Sequence, residues 1–311
     1  MNRHVRLVLG LLALTVIAAV TVAGQKTDNL PAEPFRIAGN LYYVGSSDIG
    51  SYLIATPAGH IVIDAGYEST VPLIEANIRT LGFKVTDVRY LLNTQAHFDH
   101  AAGFAALKKA TGAQVLVSDA DADVIERGGT HDFNFGDANP FPAVHVDRRL
   151  KDLDTVTLGK LTLTAHLTPG HTMGCTTWTF EVTENSRVLH VVDVCGLSIL
   201  SGTKLSGMPR YPGIAKDYEH TFATLRALPV DIFIGAHASY YGGMEKAARA
   251  KADPGGANPF IDPAGYRSYI DRVEQQFKAQ LAAERTGRHQ ARMRADGGAN
   301  RRSPGFTPNA S

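Results

Sequence analysis

The chain has 311 residues, of which 44% are hydrophobic, and a formal net charge of +1 at pH 7. This length and composition predict a globular protein with one large domain or two small ones, whose core needs no cross-links for stability. Because acidic and basic residues nearly cancel, we expect no nucleic-acid partner and no attraction to an acidic membrane surface. Cys175 and Cys195 allow at most one disulfide, and the sequence leaves open whether they pair.

The N-terminal residues predict export. Arg3 and Arg6 precede an apolar run over residues 7–22, and small residues around Ala23 are typical of a signal-peptidase site. We therefore predict a signal peptide over residues 1–24 and a periplasmic or secreted mature protein. Glycine and threonine interrupt the run and no basic stop-transfer cluster follows it, so we expect no permanent membrane anchor.

The predicted folded domain covers residues 25–284 and begins with a β-meander. Short apolar segments split by Gly, Asn and Pro predict its strands, and apolar residues at helical spacing predict the helices that follow. Ser118 and Asp121 have the spacing of a capping box at the start of one helix. The predicted strands are 35–38, 41–44, 51–55, 60–64, 85–92 and 115–117, and the predicted helices are 71–81, 104–110 and 119–127.

The second half repeats this order of strands followed by helices. Alternating strands and helices after a meander predict helices on the outer face of a mixed sheet, and two similar halves indicate a sandwich. Residues 128–142 predict a surface loop with exposed phenylalanines that borders the functional site, and residues 285–311 nearly lack apolar side chains, so we expect a disordered tail. The predicted strands are 155–158, 161–167, 176–182, 188–194 and 232–234, and the predicted helices are 216–228 and 262–284.

The stretch from Leu91 to Gly103 concentrates residue types that bind metals. It contains Gln95, His97, Asp99 and His100, which offer an amide oxygen, two imidazoles and a carboxylate. This mixed nitrogen and oxygen donor set suits catalytic zinc. Alternate residues of an extended segment point to opposite faces, so the first three share one side until a turn brings His100 round. One loop can therefore supply two neighbouring metal positions.

Two further histidines lie in turns at strand ends. His171 occupies a Pro-Gly turn after the predicted strand 161–167, and His237 follows the predicted strand 232–234. With the four residues of the first stretch they give six donors, which divide into two three-donor sites with room for water, as expected of catalytic zinc. For any single residue, the alternative is a polar loop or a capping side chain.

The order of these donors resembles the metallo-β-lactamase superfamily, whose first motif is usually H-x-H-x-D-H: Gln95-x-His97-x-Asp99-His100, then His171 and His237. Three further segments are similar to the third subclass of class B metallo-β-lactamases: Asn40–Gly45, Pro169–Thr172 with Trp178 following, and Asn258–Pro263. The resemblance covers roughly residues 34–284. It implies an α+β protein with α/β-type layers, folded as a four-layer αβ/βα sandwich.

The resemblance also implies up to two zinc ions, bound by two sets of three residues: Gln95, His97 and His171 at site one, and Asp99, His100 and His237 at site two. Gln95 departs from the family, which most often has His at this position. Because a neutral amide oxygen is a poorer zinc donor than an imidazole, we expect site one to bind zinc more weakly than site two.

The function implied by this resemblance is zinc-dependent opening of the amide ring of β-lactam antibiotics, namely penicillins, cephalosporins and carbapenems. Asp99 would orient the attacking water, and Ser198 would hydrogen-bond the substrate carboxylate. The alternatives are a metal-dependent lactonase or thioester hydrolase of the same superfamily, and an exported zinc-binding protein with degenerate catalysis. Asp193 and Cys195 lie where other branches of the superfamily place metal ligands, although the subclass resembled uses neither.

Overall fold

The computed structural model describes residues 29–299, with side chains to residue 287. Runs rich in β-branched and aromatic residues form strands, and segments with apolar residues three and four positions apart form helices. The strands are β1 (Phe35–Ala38), β2 (Leu41–Tyr43), β3 (Tyr52–Thr56), β4 (Gly59–Ile63), β5 (Val88–Leu92), β6 (Gln114–Ser118), β7 (Arg148–Leu150), β8 (Thr155–Leu158), β9 (Leu161–Leu167), β10 (Thr176–Glu184), β11 (Arg187–Val194) and β12 (Ile232–Gly235). The α-helices are α1 (Val71–Thr80), α2 (Phe98–Ala101), α3 (Phe104–Thr111), α4 (Asp119–Glu126), α5 (Ile214–Ala227), α6 (Gly243–Ala252) and α7 (Pro263–Ala299).

The strands form two mixed sheets. The first sheet has the order β1-β2-β3-β4-β5-β6-β7, antiparallel up to β4 and parallel from β4 to β7. The second has the order β12-β11-β10-β9-β8, in which only the β11–β12 pair is parallel. Because β9 and β11 are both antiparallel to β10, they run in the same direction as β12. The carboxyl ends of β9, β11 and β12 therefore lie at one edge of the second sheet.

Each sheet has helices on its outer face. Along β4 the side chains alternate, so Ile61 and Ile63 belong to the core between the sheets, whereas Val62 packs with residues of α1 and α3. On the other side, the ring of Phe233 in β12 lies 5.3 Å from that of Tyr266 in α7. This arrangement confirms the four-layer αβ/βα sandwich that the sequence predicts.

Trp178 in β10 occupies the core between the sheets. Its side chain is fully buried, and its indole N–H donates a hydrogen bond of 3.1 Å to the main-chain oxygen of Asn93 in the first sheet's β5–α2 loop. A large aromatic side chain with a satisfied polar atom contributes both apolar burial and a specific contact. Trp178 therefore connects the second sheet to the segment that begins the predicted metal-binding stretch.

Three short elements differ from the sequence prediction. The sequence prediction assigned no strand or helix to β7, to the single-turn helix α2 or to α6. β7 has two exposed arginines among its three residues, and α6 buries only Gly243 and Lys246. Such elements have little apolar periodicity of their own, because tertiary contacts stabilise them instead of a hydrophobic pattern.

The C-terminal helix also differs from expectation. α7 continues to Ala299, although the sequence predicts that it ends near Glu284 and that disorder begins at Arg285. Arginine and alanine recur between 285 and 299, and both favour helix. Residues 300–311 and the predicted signal peptide lie outside the described residues. Between residues 29 and 299, no helix is long and apolar enough to span a membrane.

Replacing Trp178 with phenylalanine should lower the free energy of unfolding by about 2 kcal/mol. The change shrinks a fully buried side chain and leaves the carbonyl of Asn93 without its hydrogen-bond donor. Chemical denaturation followed by far-ultraviolet circular dichroism measures the loss. Val188→Ala, at an exposed position of the neighbouring strand β11, should change stability by less than about 0.5 kcal/mol. Equal stability of the two variants would contradict the role given to Trp178.

Candidate metal centre

The six predicted donors lie beyond strand ends, four of them on loops, whereas Asp99 and His100 lie in the single-turn helix α2. Gln95, His97, Asp99 and His100 follow β5, His171 follows β9, and His237 follows β12 directly. The main-chain N–H of Thr176 donates a 2.8 Å hydrogen bond to the oxygen of Thr94, which joins the loop after β5 to the start of β10. Loops at the same edge of a rigid scaffold can converge on one site, and these do.

One pair of donors consists of His97 and His171. Nδ1 of His97 lies 3.1 Å from Nε2 of His171. The other nitrogen of His171 donates a hydrogen bond of 2.7 Å to the main-chain oxygen of Ser198, which leaves Nε2 as the free nitrogen of that ring. Burial lowers the pKa of His97 well below its usual range and lowers the pKa of His171 to about 4. Both imidazoles are therefore neutral at physiological pH, the form that binds metals.

A second group consists of Asp99, His100 and His237. Nε2 of His100 and Nε2 of His237 are 3.4 Å apart, and Oδ2 of Asp99 lies 3.4 Å and 3.8 Å from them respectively. These three donor atoms all lie within 4.8 Å of one another, an arrangement that can hold a metal ion. Each imidazole also has a carboxylate at its opposite nitrogen, Asp64 at 3.2 Å from His100 and Asp48 at 2.9 Å from His237.

This second group fits a cation. Nδ1 of His237 donates to Asp48, so Nε2 of the neutral ring carries a lone pair. Nδ1 of His100 lies 3.2 Å from Oδ2 of Asp64 without hydrogen-bond geometry. Two lone pairs at Nε2 of His100 and His237 would repel each other unless a proton or a metal ion lies between them. Burial alone would lower the pKa of His100, but Asp99 and Asp64 outweigh it and raise the pKa to about 10. The negative potential of Asp99 and Asp64 at His100 therefore favours the binding of a proton or a metal ion.

Asp99 remains ionised in this environment. Burial would raise the pKa of its carboxyl group, but the neighbouring His100, His97 and His237 hold that pKa below its usual value. A carboxylate among three imidazoles offers a hard anionic oxygen beside nitrogen donors, the combination that suits zinc.

Gln95 lies beside the His97–His171 pair. Its side chain is buried, and Oε1 accepts a 3.1 Å hydrogen bond from the main-chain N–H of Gly196. A Cβ atom at Gly196 would lie 2.3 Å from this oxygen and 2.4 Å from Cδ2 of His171, so both side chains pack directly on the glycine. The residue at 196 must therefore be glycine for Gln95 and His171 to approach each other.

Asp121 has a role that the sequence analysis missed. Its buried carboxylate accepts hydrogen bonds from the N–H of Ala96 at 2.9 Å, the hydroxyl of Thr172 at 2.7 Å and the N–H of Gly174 at 2.8 Å. It therefore joins the loop after β5 to the turn that carries His171. Burial raises the pKa of Asp121 to about 6, in spite of these donors.

The predicted capping box was consequently wrong. Ser118 makes no side-chain hydrogen bond to helix α4, because its hydroxyl donates to the oxygen of Gly174 at 2.5 Å. Asp121 faces the loops across from its own helix instead of the helix N-terminus. A serine and an aspartate three residues apart are compatible both with a capping box and with the loop contacts that Ser118 and Asp121 make. Only the tertiary structure distinguishes these two roles.

Residues 128–142 border the centre, as the sequence predicts. The ring of Phe135 lies 5.0 Å from that of His97, and Asp132 places Oδ2 3.8 Å from Nε2 of His97. Oδ1 of Asp132 also accepts the N–H of Phe135 at 2.6 Å. Phe133, which was expected to be exposed, is instead buried against the ring of Tyr211 at 5.0 Å.

Several of these residues enclose a cavity of about 400 Å³. Its lining residues are His97, Phe98, Asp99, Phe135, His171, Ser198, Leu200, His237 and Tyr240. Four of its lining side chains are large and apolar or aromatic, and four others, three histidines and Asp99, are predicted metal donors. Ser198, which the sequence predicts to contact substrate, also lines the cavity. Its main-chain oxygen accepts a hydrogen bond from His171.

The two residues left open by the sequence have distinct positions. Cys195 forms a disulfide with Cys175, which answers whether the cysteines pair. Asp193 is fully buried, and neither of its carboxylate oxygens has a hydrogen-bond partner in the described part of the chain. Burial and the nearby Asp64 raise the pKa of Asp193 well above its usual value.

Comparisons with known proteins agree with this architecture. The sequence profile of the metallo-beta-lactamase superfamily matches residues 48–237. The structure of the FEZ-1 metallo-beta-lactamase from Legionella gormanii is similar with a TM-score of 0.80 and 43% identity, over 83% of this chain and 98% of that one. BJP-1, a subclass B3 metallo-beta-lactamase of Bradyrhizobium japonicum, is similar with a TM-score of 0.77 and 40% identity, over 84% and 98% of the two chains.

The chain therefore belongs to the metallo-β-lactamase superfamily, and it has the hydrolase fold of that superfamily. It is also similar to a hydroxyacylglutathione hydrolase of Rhodopseudomonas palustris, with 31% identity over 60% of each chain. The first curated relatives are matched over only 35% to 60% of their own length. Members of the superfamily bind zinc, and the donors described above fit that metal.

Replacing Asp48 with asparagine should weaken metal binding at the Asp99–His100–His237 group by about 10- to 100-fold, because the carboxylate that keeps the proton on Nδ1 of His237 is lost. Equilibrium competition with a chromophoric zinc chelator measures the affinity. Asp87→Asn is the matched control and should bind zinc like the original protein, because its half-exposed carboxylate lies 3.8 Å from Arg89. Unchanged affinity in Asp48→Asn would show that Asp48 does not orient a ligand.

Proposed function

We propose that the protein is a zinc-dependent hydrolase that opens the amide ring of β-lactam antibiotics. The observation that carries this proposal is the convergence of Asp99, His100 and His237 within 4.8 Å at one side of the 400 Å³ cavity, next to the His97–His171 pair. Export through the signal peptide predicted over residues 1–24 would deliver the enzyme to the periplasm or the medium.

The composition of the cavity supports a β-lactam over a glutathione thioester. Phe98, Phe135, Leu200 and Tyr240 offer apolar walls for a compact ring system, and none of the described lining residues is a lysine or arginine. Glutathione carries two carboxylates and a β-lactam antibiotic one, so this cavity would leave more negative charge without a cationic side chain when it binds glutathione. The 43% identity to FEZ-1 over nearly its whole chain also exceeds the 31% identity to the thioester hydrolase over 60% of that protein.

Bound zinc supplies a water of lowered pKa as nucleophile and an electrophile for the carbonyl oxygen. In this proposal His97 and His171 hold the metal at site one, because burial keeps both imidazoles neutral. The third donor there is the amide oxygen of Gln95. Asp99, His100 and His237 hold the metal at site two, with Asp48 and Asp64 keeping the ring nitrogens oriented.

The reaction joins one water to the ring. A carbon–oxygen bond forms at the β-lactam carbonyl, the carbon–nitrogen bond breaks, and the nitrogen receives a proton. Asp99 remains a carboxylate at neutral pH and lies beside both groups of ligands, so it can orient the attacking water. Ser198 lines the same cavity beside His171, where its hydroxyl can donate a hydrogen bond to the substrate carboxylate.

The first test measures which ring or ester the purified protein opens. We expect loss of the ultraviolet absorbance of a penicillin, a cephalosporin or a carbapenem, abolished by a chelator and restored by added zinc. S-lactoylglutathione and an acyl-homoserine lactone serve as the competing substrates. Preferential turnover of either would support the alternative hydrolase, and tight zinc binding without turnover of any β-lactam would indicate degenerate catalysis.

The second test concerns the order of metal binding. Because the Gln95 amide is a weaker donor than imidazole, we expect zinc to fill site two first and site one at least about tenfold more weakly. The variant Gln95→His should bring the two affinities closer. Isothermal titration with zinc into metal-free protein resolves the two steps. Two equally tight zinc ions in the original protein would contradict this expectation, as would no gain at site one in the variant.

A further inference from the structure

Tyr240 lines the cavity, and the reaction described above gives its side chain no role. Its ring stacks on that of Tyr269 in α7, with centroids 5.1 Å apart and planes inclined by 28°. The ring of His237 lies 5.0 Å away, and the main-chain N–H of Tyr240 donates a 3.1 Å hydrogen bond to the oxygen of His237. The phenol group therefore has a fixed position in the cavity lining, beside a predicted metal donor.

The hydroxyl of Tyr240 forms a hydrogen bond with the side chain of Ser198. The main-chain oxygen of Ser198 accepts hydrogen bonds from Nδ1 of His171 at 2.7 Å and from the hydroxyl of Tyr218 at 3.0 Å. These two contacts fix the serine at the edge of the cavity, where its own hydroxyl lies 3.4 Å from the same nitrogen of His171. Two hydroxyl groups from distant parts of the chain are therefore neighbours in the cavity lining.

Both hydroxyls can act as hydrogen-bond donors at neutral pH. Burial raises the pKa of Tyr240, and the nearby Asp99 and Asp48 raise it further, so the phenol keeps its proton. A hydroxyl group donates one hydrogen bond, and such a bond is stronger when the acceptor is an anion. Because no lysine or arginine is among the described lining residues, an anionic group in this cavity depends on the hydroxyls of Tyr240 and Ser198 for side-chain donors.

We propose that Tyr240 determines substrate specificity by binding the substrate carboxylate together with Ser198, each hydroxyl donating to one carboxylate oxygen. This inference rests on the proposed function and deepens it. In penicillins, cephalosporins and carbapenems, the carboxylate is attached to a carbon atom that is bonded to the lactam nitrogen. Binding at the two hydroxyls therefore brings the carbon–nitrogen bond that breaks toward His237 and Asp99. The cavity selects β-lactams with a free carboxylate, although it offers that group no cationic side chain.

The variant Tyr240→Phe tests this with benzylpenicillin and its methyl ester, or with the same pair from the β-lactam class that the original protein opens fastest. Phenylalanine keeps the ring that packs on Tyr269 and His237 and removes only the hydroxyl. We expect KM for the free acid to rise about tenfold, with kcat changed less than about threefold. The kinetics of the ester and the zinc affinity, measured with a chromophoric chelator, should stay unchanged.

Tyr90→Phe is the matched control, because it removes a hydroxyl from the strand β5 outside the cavity lining. It should leave the kinetics of both substrates as they are. Circular dichroism checks that each variant is folded. Should Tyr240→Phe unfold, Tyr240→Leu keeps an apolar side chain against Tyr269 and gives the same comparison of acid with ester.

The outcomes separate this inference from the proposed function. Equal losses for the acid and the ester in Tyr240→Phe would show that the hydroxyl does not bind the carboxylate, and so would an unchanged KM for the acid. Weaker zinc binding in that variant would show that the hydroxyl acts through His237. Each of these results would overturn the inference and leave the proposed function intact, whereas failure of the original protein to open any β-lactam would overturn both.

Discussion

Two pairs of imidazole nitrogens face each other across gaps of 3.1 Å and 3.4 Å, and this arrangement is the constraint on which the centre depends. Two lone pairs at these distances repel each other, so each gap requires a proton or a metal ion between the nitrogens. In each pair, one ring donates a hydrogen bond from its other nitrogen. His171 donates to the main-chain oxygen of Ser198, and His237 donates to Asp48. The orientation of the rings therefore follows from hydrogen bonds outside the site.

The scaffold satisfies this constraint by tying loops to each other across the two sheets. Asp121 binds the loop after β5 and the turn after β9 with one carboxylate, and Trp178 reaches from β10 to the oxygen of Asn93. These contacts are buried, where each hydrogen bond is costly to leave unmade. These buried hydrogen bonds fix the positions of the ligand loops, as a site of defined geometry requires.

The sequence predicted the long elements and the donor residues because both leave local signals. Strand and helix periods follow from backbone geometry, and a histidine in a turn after an apolar strand is informative wherever it occurs. The sequence analysis missed Asp48, Asp64 and Asp132. Each of these aspartates lies near a histidine in space but far from it along the chain. Asp48 contacts a histidine 189 residues away along the chain, and no local pattern encodes that separation.

By itself, the sequence determined the six candidate donors, their family resemblance and the sandwich of layers, because each depends on residue type and on spacing along the chain. Only the tertiary structure decided that Asp121 ties two loops instead of capping a helix, that the cysteines pair, and that the sulfur of Cys195 lies 3.6 Å from Gln95. Those facts depend on how distant strand ends meet, and packing of the whole chain, not local propensity, sets such distances.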